Sequence, residues 1–140
     1  MRVRLFEWDK DLEAVLDLWR TAGPGVQLSP SDEPQAILHK LERDPDLFLV
    51  AEDDHGQVVG SVLGGYDGRR GLVYHLAVHK DHREQGIGEA LMVELEGRLK
   101  AKGCYKCYLL VAPDNTAAID FYSHRGWDTM EHRIMGKVLE

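Results

Sequence analysis

Apolar residues first fall at helical spacing at Leu12, Val15, Leu16 and Trp19, which predicts an amphipathic helix. Asp9 precedes this stripe as a candidate cap and Gly23 follows it as a stop. From Gly23 to Pro30 the pattern has no period and reads as a loop. A second helix is expected from Asp32, with Gln35 as its capping-box partner, to Arg43, burying Ile37, Leu38 and Leu41. The period then shortens. Leu47 to Glu52 and Gln57 to Gly64 are apolar runs around Asp53-Asp54-His55-Gly56, the signature of a hairpin, and Leu72 to Val78 is the next strand. Leu91, Met92, Leu95 and Leu99 form another helical stripe, which Gly103 can end. Cys104 to Val111 reads as a strand closed by Pro113. Asn115 then caps a short helix bearing Ile119, Phe121 and Tyr122, with Gly126 as its stop, and Trp127 to Leu139 reads as one or more final strands. Two helices, a hairpin and then strand-helix-strand-helix-strand predict an α/β chain: a mixed sheet with helices on its faces.

Its 140 residues fit one domain, 1–140, without repeat or linker. The formal net charge of −7 argues against nucleic-acid binding, which needs a basic surface, and leans toward a cationic small partner. The charged start, Met1 to Glu7, lacks the apolar core of a signal peptide, and no run approaches the ~20 apolar residues of a membrane span. A cytoplasmic protein without a membrane partner is the expectation. Cys104 and Cys107 lack the second ligand pair of a zinc site, and residues three apart on a strand face opposite ways, so their thiols are expected not to converge. His75, His79 and His82 straddle a strand end and a turn with no completing ligand set, so no metal is expected.

The chemistry concentrates at Arg83-Glu84-Gln85-Gly86-Ile87-Gly88, between a strand and a helix. Free N–H groups and the positive end of the dipole make a helix start attractive to an anion, and glycines let the backbone approach it. A phosphate-binding loop of the Walker type needs a Lys-Ser/Thr pair that is missing here. The dinucleotide fingerprint needs a third glycine, also missing, and an earlier place in the chain. What remains is R/Q-x-x-G-x-G/A after a strand, and downstream the block from Asn115 to Trp127, of the form N-x-x-A-x-x-F-Y-x-x-x-G-W.

Together these blocks closely resemble the GNAT (Gcn5-related N-acetyltransferase) superfamily. The chain length and Gly64-Gly65-Tyr66-Asp67-Gly68 resemble its small bacterial YpeA-type members. The resemblance implies an acyl-CoA N-acyltransferase fold in which two parallel strands, here Leu72–Val78 and Tyr105–Val111, splay apart around the pantetheine arm of acetyl-CoA. It implies that backbone groups of Leu76 and Val78 contact pantetheine and thioester, that amides from Arg83, Glu84, Gln85, Gly86, Ile87 and Gly88 hold the pyrophosphate, and that Asn115 touches the cofactor arm or caps its helix. Tyr122 matches the general acid that protonates the departing CoA thiolate. A phenol of pKa ~10 gives its proton to such a thiolate uphill by roughly 2 kcal/mol. The competing role for Tyr122 is packing beside Phe121.

An ammonium acceptor must lose a proton before it attacks. Alternation along Leu72–Val78 places Leu72, Tyr74, Leu76 and Val78 on one face and Val73, His75 and Ala77 on the other. Tyr74 is the better-placed base or water relay, with Glu52 and Asp67 as further candidates, while His75 reads as either a base or a packed strand histidine. The function implied is direct transfer of acetyl from acetyl-CoA to a primary amine, on a small molecule or a peptide. The alternative is a non-catalytic acyl-CoA-binding module. An exposed final strand would allow a homodimer.

Overall fold

A computed structural model describes all 140 residues. The chain forms β1 (Arg2–Leu5), α1 (Trp8–Arg20), α2 (Pro34–Arg43), β2 (Phe48–Glu52), β3 (Val58–Tyr66), β4 (Gly71–Val78), α3 (Ile87–Ala101), β5 (Cys107–Leu109) and α4 (Thr116–Ser123). Single 3-10 turns lie at Pro30–Asp32 and Lys80–His82. Its residues gather into two compact units, Met1–Leu110 and Val111–Glu140.

The first unit is one five-stranded sheet in chain order, antiparallel from β1 to β4 and parallel between β4 and β5. This is the mixed sheet expected from the sequence. Each face carries its own helices because the strands alternate. Phe48, Val50 and Leu63 point to the face where Phe6, Val15, Leu16, Trp19 and Ile37 close the core. On that face Phe6 stacks on Phe48 at 4.1 Å, and the buried Trp19 stacks on Phe48 at 5.8 Å while its indole N–H donates to Ser61 Oγ at 3.0 Å. The other face takes α3. Glycine is needed there: a Cβ on Gly60 would lie 2.9 Å from Ile87 Cγ2, and one on Gly64 2.6 Å from Leu95 Cδ1.

Several expectations change. Arg2–Leu5 was read only as a charged start, yet it is an edge strand, because Arg2 and Arg4 reach Glu52 across the register Arg2↔Glu52. The cap of α1 is Glu7, not Asp9: the Asp11 carboxylate reaches back to the Glu7 N–H at 2.8 Å. Asp32 does not start a helix with Gln35. It closes a capping box with Ser29 in the 3-10 turn, and α2 begins at Pro34, whose fixed φ suits the first helical position. β5 pairs over Cys107–Leu109 only, so Cys104 precedes the strand.

In the second unit, Asn115 caps α4, its Oδ1 accepting the Ala118 N–H at 3.2 Å. The final strand expected over Trp127–Leu139 does not form. Met130, Ile134, Met135, Val138 and Leu139 are all exposed, so the segment has no buried face to hold a strand in place. No helix of the chain is long and apolar enough to cross a membrane.

Charge anchors β1. The Arg4 guanidinium, 9% exposed, forks onto both oxygens of Asp11 at 2.7 and 2.9 Å and onto Glu52 at 2.8 Å. Burial pushes the Asp11 carboxyl up, but the bonds from Arg4 and the Glu7 amide outweigh it and hold it below its usual value. Asp11→Ala takes the closest carboxylate from a buried cation and leaves it Glu52, the Leu5 carbonyl and the more distant Glu7, so urea unfolding is expected to show a loss of about 3 kcal/mol. Because the folded carboxyl titrates lower than the unfolded one, its contribution is full above the unfolded pKa of 3.8 and disappears as pH falls through the folded value. The acid limb of stability in Asp11→Ala should therefore be shallower.

Candidate functional site

Strand β4 loses both neighbours along the same stretch. Against β3 it pairs regularly to Tyr74↔Leu63 and resumes at Ala77↔Ser61, so His75 and Leu76 together oppose Val62. That is a β-bulge, and His75 takes up the extra residue with φ 47. Against β5 the parallel register runs only from Gly71↔Cys107 to Val73↔Leu109. From Tyr74 to Val78 the β5-side edge of β4 is open, about 16 Å of strand at ~3.3 Å per residue. Its backbone groups are a template for an extended partner.

The bulge also overturns the simple alternation. Residues paired across antiparallel strands share a face. Tyr74 with Leu63 and Ala77 with Ser61 therefore face α1, while Val73 with Gly64 and Val78 with Gly60 face α3. Tyr74 and Val78 were expected on one side; the extra residue puts them on opposite sides.

The open edge leads through the turn at Lys80–His82 into α3. The guanidinium of Arg83 donates to Val78 O and to Ala22 O, both at 3.2 Å, tying the turn to the end of β4 and to the segment after α1. Glu84 and Gly86 adopt left-handed φ of 62 and 79, which turns the chain so that Gly86 caps α3 without a side-chain bond. Ile87 is buried against the sheet, whereas Glu84 and Gln85 are exposed. The N–H groups of Gly86, Ile87 and Gly88 find no acceptor in the protein. They sit at the positive end of a 15-residue helix.

The sequence-derived base candidates differ in their surroundings. Tyr74, 39% exposed, lies near the Cα of Gly65 and the Lys40–Asp44 ion pair; burial first, and then the charge of Asp44, raise its pKa. Glu52 is bound by Arg4 and held low by that bond. Asp67 accepts the Arg70 and Arg69 amides, which lower it and close the turn between β3 and β4. His75 carries a partner that no spacing revealed: its Nε2 lies 2.8 Å from Asp32 Oδ1, in the 3-10 turn before α2. His79 and His82 meet ring to ring at 5.6 Å, and no group of three or more metal-ligating side chains forms. Both cysteines are free; burial, then the neighbouring charges of Cys104 and Glu96, push the Cys107 thiol up to about 11.

In the second unit, Phe121-Tyr122-Ser123-His124-Arg125-Gly126-Trp127 is a helix-ending motif. Gly126 turns left-handed at φ 89, its N–H reaches Ser123 O, and the Trp127 N–H reaches Tyr122 O at 3.1 Å. The rings of Tyr122 and Trp127 meet edge to face at 5.9 Å, the apolar contact this motif favours. The ring of Tyr122 is thus fixed by packing, while its hydroxyl bonds to no protein group. Burial raises that hydroxyl to about 12.

A model of the acetyltransferase (GNAT) family matches residues 12–127. An acetyltransferase of Pectobacterium atrosepticum is 46% identical over 140 residues, covering 99% of this chain and 96% of that one. An uncharacterized N-acetyltransferase of Yersinia pestis is 44% identical over the same shares. Among solved structures, Ard1 from Thermoplasma volcanium superposes with a TM-score of 0.77 at 28% identity, covering 89% of this chain and 80% of that one. The PaiA N-acetyltransferase of Thermoplasma acidophilum, solved with coenzyme A, superposes with a TM-score of 0.79 over 94% of this chain and 92% of that one; at 19% identity it shows the shared fold.

The backbone of the turn yields its own test. Glu84 pays the left-handed cost of roughly 1–2 kcal/mol and a glycine would not, at an entropic cost of roughly 0.5–1 kcal/mol. Glu84→Gly should raise unfolding stability by about 0.5–1 kcal/mol, and Gly86→Ala should lower it by about 1 kcal/mol. A loss in Glu84→Gly, or an unchanged stability in Gly86→Ala, would contradict the left-handed backbone at that position.

Proposed function

The chain belongs to the acetyltransferase (GNAT) family, and from that premise we propose that it moves acetyl from acetyl-CoA to a primary amine by direct attack. The observation that carries this reading is the open edge of β4, which runs from Tyr74 to Val78 and ends at the uncommitted amides of Gly86, Ile87 and Gly88. An amide-rich arm with a pyrophosphate at one end fits both halves. The arm adds to the strand edge at Leu76 and Val78, and the pyrophosphate sits at the start of α3 within the turn from Arg83 to Gly88. Arg83, with Val78 and Ala22 already as its partners, serves to hold the turn in shape. Glu84 and Gln85 contribute backbone rather than side chain. Coenzyme A in the PaiA structure is consistent with this reading.

Backbone N–H groups of the bulge would donate to the thioester oxygen as it gains charge, a contribution that needs no rearrangement at the moment of reaction. Tyr122 is the residue that the family motif pairs with the departing sulfur. With its hydroxyl at about 12, complete proton transfer to a thiolate of conjugate acid ~8.5 would cost about 5 kcal/mol, more than an ordinary phenol pays. Tyr122 therefore acts mainly by hydrogen-bonding the sulfur as charge builds, and the proton follows once C–S cleavage is under way. Asn115 positions that helix by capping it. Tyr74, a phenol that resists ionisation, suits a water relay better than a proton acceptor.

The reading is tested by release of free thiol from acetyl-CoA in the presence of a panel of primary amines and peptides. Turnover with at least one of them is expected; tight CoA binding with none would contradict it. Tyr122→Phe keeps the ring contact with Trp127 and removes only the hydroxyl. It should lower kcat about 10²-fold or more with CoA affinity unchanged. Replacing Cys107 with serine should leave turnover intact, because a thiol near 11 is a poor nucleophile at neutral pH. Loss of turnover together with loss of an acetylated enzyme species would instead establish a two-step route.

A further inference from the structure

His75 is the bulged residue of β4, and a bulky residue at φ 47 is uncommon enough to need a compensating interaction. The compensation is visible. Nε2 lies 2.8 Å from Asp32 Oδ1, and the indole of Trp19 packs against the imidazole at 4.9 Å between centroids. The side chains of His75 and Asp32 are only 15% and 10% exposed. Asp32 is itself held from the other side, because its Oδ2 accepts the Ser29 N–H at 3.1 Å in the capping box. Two rigid elements thus meet in one hydrogen bond.

That bond fixes the tautomer. An ionised carboxylate only accepts, so Nε2 carries the proton and Nδ1 keeps its lone pair. Nδ1 has no hydrogen-bond partner in the protein and is not sealed from solvent. The imidazole therefore sits where β4 departs from β5, basic at one nitrogen and anchored at the other. The other groups considered as bases are each less suited. Glu52 is committed to Arg4, Asp67 to two turn amides, and Tyr74 is a phenol whose pKa is raised.

We propose that His75, oriented by Asp32, is the group that removes the proton from the acceptor ammonium. The proposal rests on the acetyl-transfer reading given above. The cofactor's pyrophosphate would lie at the start of α3, so an acceptor has the α1 face of the bulge left to approach, the face on which His75 meets Trp19 and Asp32. Nδ1 takes one proton from the ammonium and later passes it to water. The neutral amine forms the C–N bond, the C–S bond breaks, and the amine's second lost proton leaves with the sulfur as CoA thiol. Asp32 is a positioning residue, which holds the ring through Nε2.

A purely structural staple between β4 and the 3-10 turn would cost stability and activity on every acceptor alike. A base is needed only where the acceptor is protonated. The experiment compares wild type, His75→Gln, Asp32→Asn and His75→Gly, using a strongly basic primary amine and hydroxylamine, which is already neutral at neutral pH. His75→Gln should lose about 10²-fold or more in kcat with the basic amine, keep its KM for acetyl-CoA, and come within about threefold of wild type with hydroxylamine. Asp32→Asn should show the same pattern at about a tenth of the size. His75→Gly, which suits the left-handed backbone, should regain turnover on addition of imidazole. An equal loss with both acceptors and no imidazole rescue would reduce the pair to a staple and overturn the proposal. Undiminished turnover in His75→Gln would also overturn it while leaving acetyl transfer standing. Absence of thiol release by wild type with either amine, or with any of the amine panel, would remove the transfer reading and this proposal together.

Discussion

One extra residue in β4 governs the rest of the site. With His75 and Leu76 opposite Val62, the strand cannot keep its pleat in register with β3, and beyond Val73 it no longer pairs with β5. A strand that stayed regular would satisfy its backbone groups within the sheet and leave nothing for an extended ligand. The bulge exchanges those internal hydrogen bonds for an open edge. It also puts Tyr74 and Val78 on opposite faces, so one strand serves the α3 side with one end and the α1 side with the other.

Such an irregularity survives only if its surroundings hold it. Below, Trp19 supports the imidazole of His75 while stacking on Phe48 and bonding Ser61, which joins the bulge to the core on the α1 face. Above, Gly60 and Gly64 let α3 press on the sheet, so that Ile87 is buried and the helix start is fixed beside the end of β4. Arg83 closes the circuit by binding Val78 and Ala22. At the far edge, Arg4 with Asp11 and Glu52 secures β1 and the entry of α1. Each contact fixes an element at the bulge or the turn it leads to, or the sheet and helix behind them.

Local patterns in the sequence announced most of this. The stripes around Leu16 and Leu95, the turn at Gly56 and the caps at Asn115 and Gly126 each depend on neighbours a few residues away, which a single sequence displays. The Gly86 turn was visible for the same reason. What escaped notice depends on long-range partners. Arg2–Leu5 is a strand because β2 lies opposite it from Leu49 to Glu52, and Asp32 has the local pattern of a helix cap while its partner, His75, lies 43 residues on. The bulge has no local signature for a third reason: no residue from Leu72 to Val78 forbids strict alternation. The final segment misled in the opposite sense. Ile134, Val138 and Leu139 favour a strand by propensity, yet propensity does not hold one without a buried face. Tyr122 shows two roles in one residue, its ring ending a helix and its hydroxyl left over.

We propose that the edge from Tyr74 to Val78 and the amides from Gly86 to Gly88 form one continuous site for acetyl-CoA. Amide hydrogen exchange with and without coenzyme A tests it most directly, since it reads those N–H groups themselves. Slowed exchange in both segments, with β2 and the body of α1 unchanged, is the predicted result. Saturable binding of coenzyme A that leaves exchange in both segments unaltered would contradict it.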